Sequence, residues 1–120
     1  MNIRIAEVNG TTCATIESDT IEIKNTQDAL DMLANCSYQG ADRIIIRKEN
    51  ISPDFFDLKT GLAGDILQKF SNYRKYLAIV GDCSNYTSKS LRDFIYESNA
   101  TGRILFVSTT DEALERLTKK

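Results

Sequence analysis

The chain has 120 residues, of which 42% are apolar and 27% charged, with 15 basic and 17 acidic side chains for a net charge of −2. That apolar content supports one ordinary domain with its own core, over residues 1–120, and excludes a disordered chain. The charge balance excludes the basic surface that non-specific nucleic-acid binding needs, and no apolar run is long enough to span a bilayer, so neither nucleic acid nor membrane is an expected partner.

Residues 2–8 alternate, with Ile3 and Ile5 on one side and Arg4 on the other, as a half-buried strand does. They carry charge and do not read as a signal peptide. Asn9-Gly10 follows, a hairpin signal because both residue types tolerate positive φ. Residues 11–18 read as the returning strand. Asn25, with Asp28 three residues on, resembles an N-cap pair, and it opens a helix with Ala29, Leu30, Leu33, Ala34 and Tyr38 at helical spacing, ended by Gly40. The run Arg43-Ile44-Ile45-Ile46-Arg47 is consecutively apolar between charges, the pattern of a strand covered on both faces. Ser52-Pro53 reads as a helix start, with a break or restart at Gly61 and Gly64 and an apolar stripe of Leu62, Ile66, Leu67, Phe70 and Tyr73. Residues 77–80 form the next buried strand, closed by Gly81-Asp82. Thr87 or Ser88 caps a helix with Leu91, Phe94 and Ile95 inward, and Gly102 ends the connection. Residues 104–107 form the last strand. Thr109 and Glu112 form a capping box before a helix with Ala113, Leu114 and Leu117 inward. The order β-β-α-β-α-β-α-β-α predicts an α/β domain with a mostly parallel central sheet of about five strands, an N-terminal hairpin and four helices.

Chemistry-bearing residues are few. There is no histidine, and the three cysteines, Cys13, Cys36 and Cys83, are far apart with no C-x-x-C pair. That removes His-based catalysis, His–Cys zinc sites and Cys–His nucleophiles, and it fits a reducing, cytoplasmic setting. No cofactor, metal or catalytic residue is expected. Cys83 is on a loop and could react, but no lysine is near it in sequence to lower its pKa, so an inert thiol is the simpler reading.

The segment from Phe55 to Leu67 places Lys59, Thr60 and Gly61 at the mouth of an amphipathic helix. A helix N-terminus exposes unpaired N–H groups and a partial positive charge, which suit an anion or a partner's carboxylate. The plain alternative is a turn, with Gly61 for backbone geometry, Thr60 as a cap and Lys59 solvated. A Walker loop is excluded, since no G-x-x-x-x-G-K-[ST] occurs. Asp82 and Ser84 follow a buried strand at its carboxyl end, where open parallel sheets bind ligands. There Asp82 is either a general base or metal ligand, or the cap of a turn. The adjacent pair Phe55-Phe56 reads as core packing or, since neighbours on a helix do not share a face, as one buried ring and one free for contact. The five tyrosines, Tyr38, Tyr73, Tyr76, Tyr86 and Tyr96, read as rim residues with buried rings and wet hydroxyls. Arg92, Asp93, Glu97 and Arg103 read as a solvated face with local pairs.

The blocks FFDLKTGLAGDILQKF and LAIVGDCSNYTSKSLRDFIYESN, with the closing Asp111-Glu112-Ala113-Leu114, resemble a bacterial family termed domain of unknown function 4180, over almost the whole chain. That resemblance implies no established activity. The element order, the Gly-Leu-small turn after the third strand and the ending in Ser, acidic residue and Glu-Ala-Leu are similar in layout to STAS domains, the anti-sigma-factor-antagonist (SpoIIAA-like) fold. Those domains carry Asp-Ser-Ser-Gly-Leu-Gly at the start of the second helix, where one Ser can be phosphorylated. Here Leu58-Lys59-Thr60-Gly61-Leu62-Ala63 takes that place, with Lys59 where the phosphorylated Ser would be and Thr60 at its neighbour. The resemblance therefore implies a STAS-like fold rather than the phosphorylation switch.

Together these readings point to a cytoplasmic, non-enzymatic regulatory or protein-binding module. It would meet a protein partner through Lys59, Thr60 and Gly61 and the loop of residues 82–86, which includes Asp82 and Ser84. Two alternatives stay open. One is a small enzyme or phosphate-ligand binder using Asp82, Lys59 and Thr60. The other is an apolar-ligand carrier with a pocket lined by Phe55, Phe56 and Phe70.

Overall fold

A computed structural model describes residues 1–119. Strands β1 (Asn2–Val8) and β2 (Thr11–Glu17) pair antiparallel with Val8 opposite Thr11. Asn9 and Gly10 between them have φ values of 55° and 80°. Two successive left-handed residues match the right-handed twist of the strands they join. The chain continues through α1 (Thr26–Tyr38), β3 (Arg43–Arg47), α2 (Leu62–Asn72), β4 (Tyr76–Val80), α3 (Lys89–Thr101), β5 (Ile104–Val107) and α4 (Thr110–Leu117). The five strands lie in the order β1-β2-β3-β4-β5, and every pair after the hairpin is parallel. Each crossover helix thus advances the sheet by one strand. Among the described residues, no helix is long and apolar enough to cross a membrane.

The alternation of side chains along each strand divides the interior into two cores. Ala14, Ile16, Ile44, Ile46, Leu77, Ile79, Ile104 and Phe106 face α1 and α2, with Phe94 and Ile95 of α3 packed against the same core. Ile45, Ala78, Leu105 and Val107 face the opposite way, where Ala113 and Leu117 of α4 cover them. This explains the unbroken apolar runs of β3, β4 and β5: a strand buried on both faces cannot alternate. Tyr76 and Val80, at the two ends of β4, are only half-buried.

Several local expectations are corrected. In α1 the buried face is Ala29, Met32, Leu33 and Cys36, whereas Ala34 and Tyr38 are exposed. Two apolar stripes about one residue apart fit the same helix, and packing on the sheet selects the one with Met32 and Cys36. Ser52-Pro53 starts a 3-10 turn, Pro53–Phe56, followed by a second, Leu58–Thr60; the α-helix begins after Gly61, and Gly64 lies inside it. Tyr73 leaves the stripe because α2 ends at Asn72, and it is exposed. Tyr38, Tyr73 and Tyr96 do not bury their rings, Tyr38 being 92% accessible; Tyr76 and Tyr86 are half-buried. Thr109 caps α4 by accepting from the Glu112 N–H, but the Glu112 carboxylate returns to the N–H of Ser108 instead of the cap residue. One polar anchor is invisible to periodicity: the buried Ser98 hydroxyl donates to the Ile104 carbonyl at 2.5 Å and ties α3 to β5.

Candidate functional site

The carboxyl ends of β3 and β4 carry the loops in which the sequence placed its binding residues. From β3 the chain enters a short 3-10 turn, Lys48–Asn50, in which Asn50 is 1% accessible. Its Nδ2 donates to the carbonyls of Ser18 (3.0 Å) and Thr20 (2.8 Å). Its own carbonyl accepts the N–H groups of Glu22 (2.7 Å) and Ile23 (3.1 Å). This one side chain and peptide therefore hold the segment of residues 18–23 against the end of β3 and set the position of Ile21. The turn Pro53–Phe56 follows, capped by Ser52, whose hydroxyl accepts from the Asp54 N–H at 3.2 Å. Phe55 points into the core and is fully buried, while Phe56 is half-buried and faces the loop after β4.

That loop is fitted to Lys48. A Cβ on Gly81 would stand 2.8 Å from the Lys48 Cβ, so glycine allows the lysine stem to pass. Lys48 Nζ then donates to the Asp82 carbonyl at 2.9 Å. It lies 4.6 Å from the centroid of the Tyr86 ring and 5.6 Å from that of Phe56, within cation–π range of both. The two rings stack on each other, with centroids 5.2 Å apart and planes 11° apart. Together these segments surround an open cleft of about 400 Å³, within the range of ligand and side-chain pockets. Ile21, Ile51, Pro53, Phe56 and Tyr86 form its apolar walls; Lys48, Glu49, Asp82 and Asn85 supply the polar atoms.

The ionisable groups of the cleft are tied to their neighbours. The Asp82 carboxylate accepts both the hydroxyl (2.5 Å) and the N–H (2.9 Å) of Ser84. These two bonds hold its pKa below the ordinary carboxylate value and close an Asx-type turn. The Tyr86 side chain beside Lys48 raises the lysine's pKa, so the ammonium stays charged. Cys83 has a lysine near it after all, because the fold brings Lys48 alongside. Burial nevertheless outweighs that charge and pushes the thiol up, as an unreactive thiol requires. Burial also pushes Cys13 up, and Cys36 to about 11. Among the described residues, no group of three His, Cys, Asp or Glu side chains is placed to hold a metal ion.

Lys59, Thr60 and Gly61 sit on the next turn and do not line the cleft that holds Asp82. The Thr60 hydroxyl is placed to donate to the carbonyls of Asp54 (2.7 Å) and Asp57 (2.9 Å), and it accepts the Leu62 N–H at 3.2 Å. The Asp57 carboxylate accepts the Lys59 N–H at 3.1 Å, and Gly61 adopts φ 77°. The Thr60 hydroxyl thus takes the first N–H of the helix mouth, and the Asp57 carboxylate belongs to the preceding turn. Its link to the cleft is mechanical: Thr60 fastens the turn from which Phe56 projects.

Sequence reasoning missed Lys48, Ile21 and Ile51. Lys48 carried a signal, since it directly follows the carboxyl end of a buried parallel strand. Ile21 carried none, because its place depends on Asn50. Of the three phenylalanines expected to line an apolar pocket, Phe56 lines the cleft, while Phe55 and Phe70 are buried in the core.

The family model described as Domain of unknown function (DUF4180) matches residues 8–117. No curated protein and no solved structure matches the chain. The chain belongs to the DUF4180 family.

Proposed function

We propose that this DUF4180 domain is a non-enzymatic, cytoplasmic binding module of STAS-like type that contacts a protein partner with the surface spanning the turn of residues 53–61 and the loop of residues 82–86. One observation carries the reading. Phe56 of the turn stacks on Tyr86 of the loop, and Lys48 is packed against both rings, leaving an apolar cleft beside them. Half-buried aromatic rings held rigidly at a surface are the residue type that dominates protein interfaces. The rival reading, catalysis or phosphate binding by Asp82, Lys59 and Thr60, has less support. The Asp82 carboxylate is engaged by Ser84, the Thr60 hydroxyl by backbone groups, and Lys59 and Thr60 lie outside the Asp82 cleft.

The test compares tagged wild type with Tyr86→Ala, each captured from the native cells after mild crosslinking and read by mass spectrometry. Proteins retained by the wild type and lost by Tyr86→Ala, with the variant's circular dichroism unchanged, are the expected result. An identical set on both forms, or no protein retained by the wild type, refutes the reading.

A further inference from the structure

We infer that the partner segment seated in this cleft is apolar and basic: one aliphatic or aromatic side chain against Ile21 and the Phe56–Tyr86 stack, flanked by Lys or Arg. The inference rests on the binding reading above and adds the chemistry of the partner. The walls define the central side chain. Ile21, Ile51, Pro53 and the two rings present carbon to the cleft, and Ile21 is 40% accessible without a partner. An apolar group placed there removes water from both surfaces.

The rim defines the flanks. Glu49 and Asp82 line the cleft, and Asp54 and Asp57 adjoin the lining residues Pro53 and Phe56 in the chain. All four are exposed, and none of them is in an ion pair among the described residues. Only Lys48 and Lys59 oppose them in these segments. The Lys48 ammonium is already held by the Asp82 carbonyl and the two rings. The mouth is thus an apolar floor inside an excess of carboxylates. Complementary charge steers association and selects partners, and a like-charged segment is repelled. An acidic peptide or a phosphate ester meets the Glu49 and Asp82 carboxylates of the lining, whereas Lys or Arg beside the anchoring side chain meets carboxylates that no cation of the described residues pairs.

The experiment pans a random dodecapeptide library against the whole domain and sequences the selected peptides. The strongest is then measured by fluorescence anisotropy on wild type, Ile21→Glu and Glu49→Lys, all at exposed positions and checked by circular dichroism. Expected are peptides with an apolar residue within about two positions of Lys or Arg, weakened about tenfold by each variant and weakened further by added salt. Selected peptides that are acidic, binding that ignores both variants, or no selection at all overturns the inference. A small molecule that binds the cleft while no peptide is selected also overturns it, in favour of a free ligand. Cellular proteins lost with Tyr86→Ala while selected peptides are acidic would leave the binding module standing and remove only the basic–apolar partner. Failure of both experiments removes both.

Discussion

Replacing Asn50 with Ala removes the Nδ2 bonds to the Ser18 and Thr20 carbonyls, at 3.0 and 2.8 Å, from a site that is 1% accessible. The Ser18 carbonyl keeps a second donor in the Arg47 guanidinium, but the Thr20 carbonyl keeps only a long 3.4 Å contact from the Ser18 hydroxyl. Each lost hydrogen bond contributes about 1 kcal/mol net, and because Thr20 is exposed, water can replace the donor at its carbonyl. Against this, the Asn50 Oδ1 is buried with no partner among the described residues, so deleting it offsets about 1 kcal/mol. The two lost bonds less that offset leave a loss of about 1 kcal/mol. For a domain of this size that lowers the melting temperature by about 4 °C, read by far-UV circular dichroism. A shift below about 2 °C would refute the reasoning, because the 18–23 segment would then be held by something else. Asn50→Asp is harsher at neutral pH, since it turns a carboxylate oxygen towards two carbonyls. Its penalty shrinks as the pH falls and the carboxyl protonates. Both variants should weaken any ligand of the cleft, because Ile21 rides on the segment they release.

The remaining predictions use the same melting assay. Phe55→Ala should cost about 3–5 kcal/mol, because a fully buried ring leaves a cavity in the main core, whereas Tyr38→Ala at a 92% accessible site should stay within about 0.5 kcal/mol; equal shifts would contradict the assigned faces. Thr60→Val should cost about 1 kcal/mol through loss of the hydroxyl that fastens the turn, and Thr60→Ser should restore it; a harmless Val would mean those bonds contribute nothing. Cys36 ionises near 9.0 when unfolded and, pushed up by burial, near 11 when folded. The unfolded chain therefore binds fewer protons in that window, and stability falls as the pH rises through it. Cys36→Ala should show a shallower alkaline decline than wild type, and an identical slope would exclude Cys36 as a cause.

The elements of this protein are legible in its sequence because their signals are local. Ile44-Ile45-Ile46 is a short β-branched run with the pattern of a strand covered on both faces, Asn9-Gly10 supplies two left-handed residues for a tight hairpin, and Asn25, Ser88 and Thr109 each offer a side-chain oxygen to the first turn of a helix. The loops flagged by Asp82 and Ser84 also stood at a strand's carboxyl end, where topology alone directs attention. What the sequence could not decide were the choices that depend on contact between distant residues. The α1 stripe with Met32 and Cys36 prevails over the one with Ala34 and Tyr38 only when the helix lies on the sheet. Phe55 and Phe56 are equivalent as sequence, and the core takes one while Tyr86, thirty residues on, takes the other. Lys48 gains its role from Gly81, whose missing Cβ lets the lysine reach Asp82 and Tyr86. Helix caps and strand periods are set within a few residues of chain, but a cleft exists only where the sheet brings separate loops together, and its walls and charges are properties of that meeting.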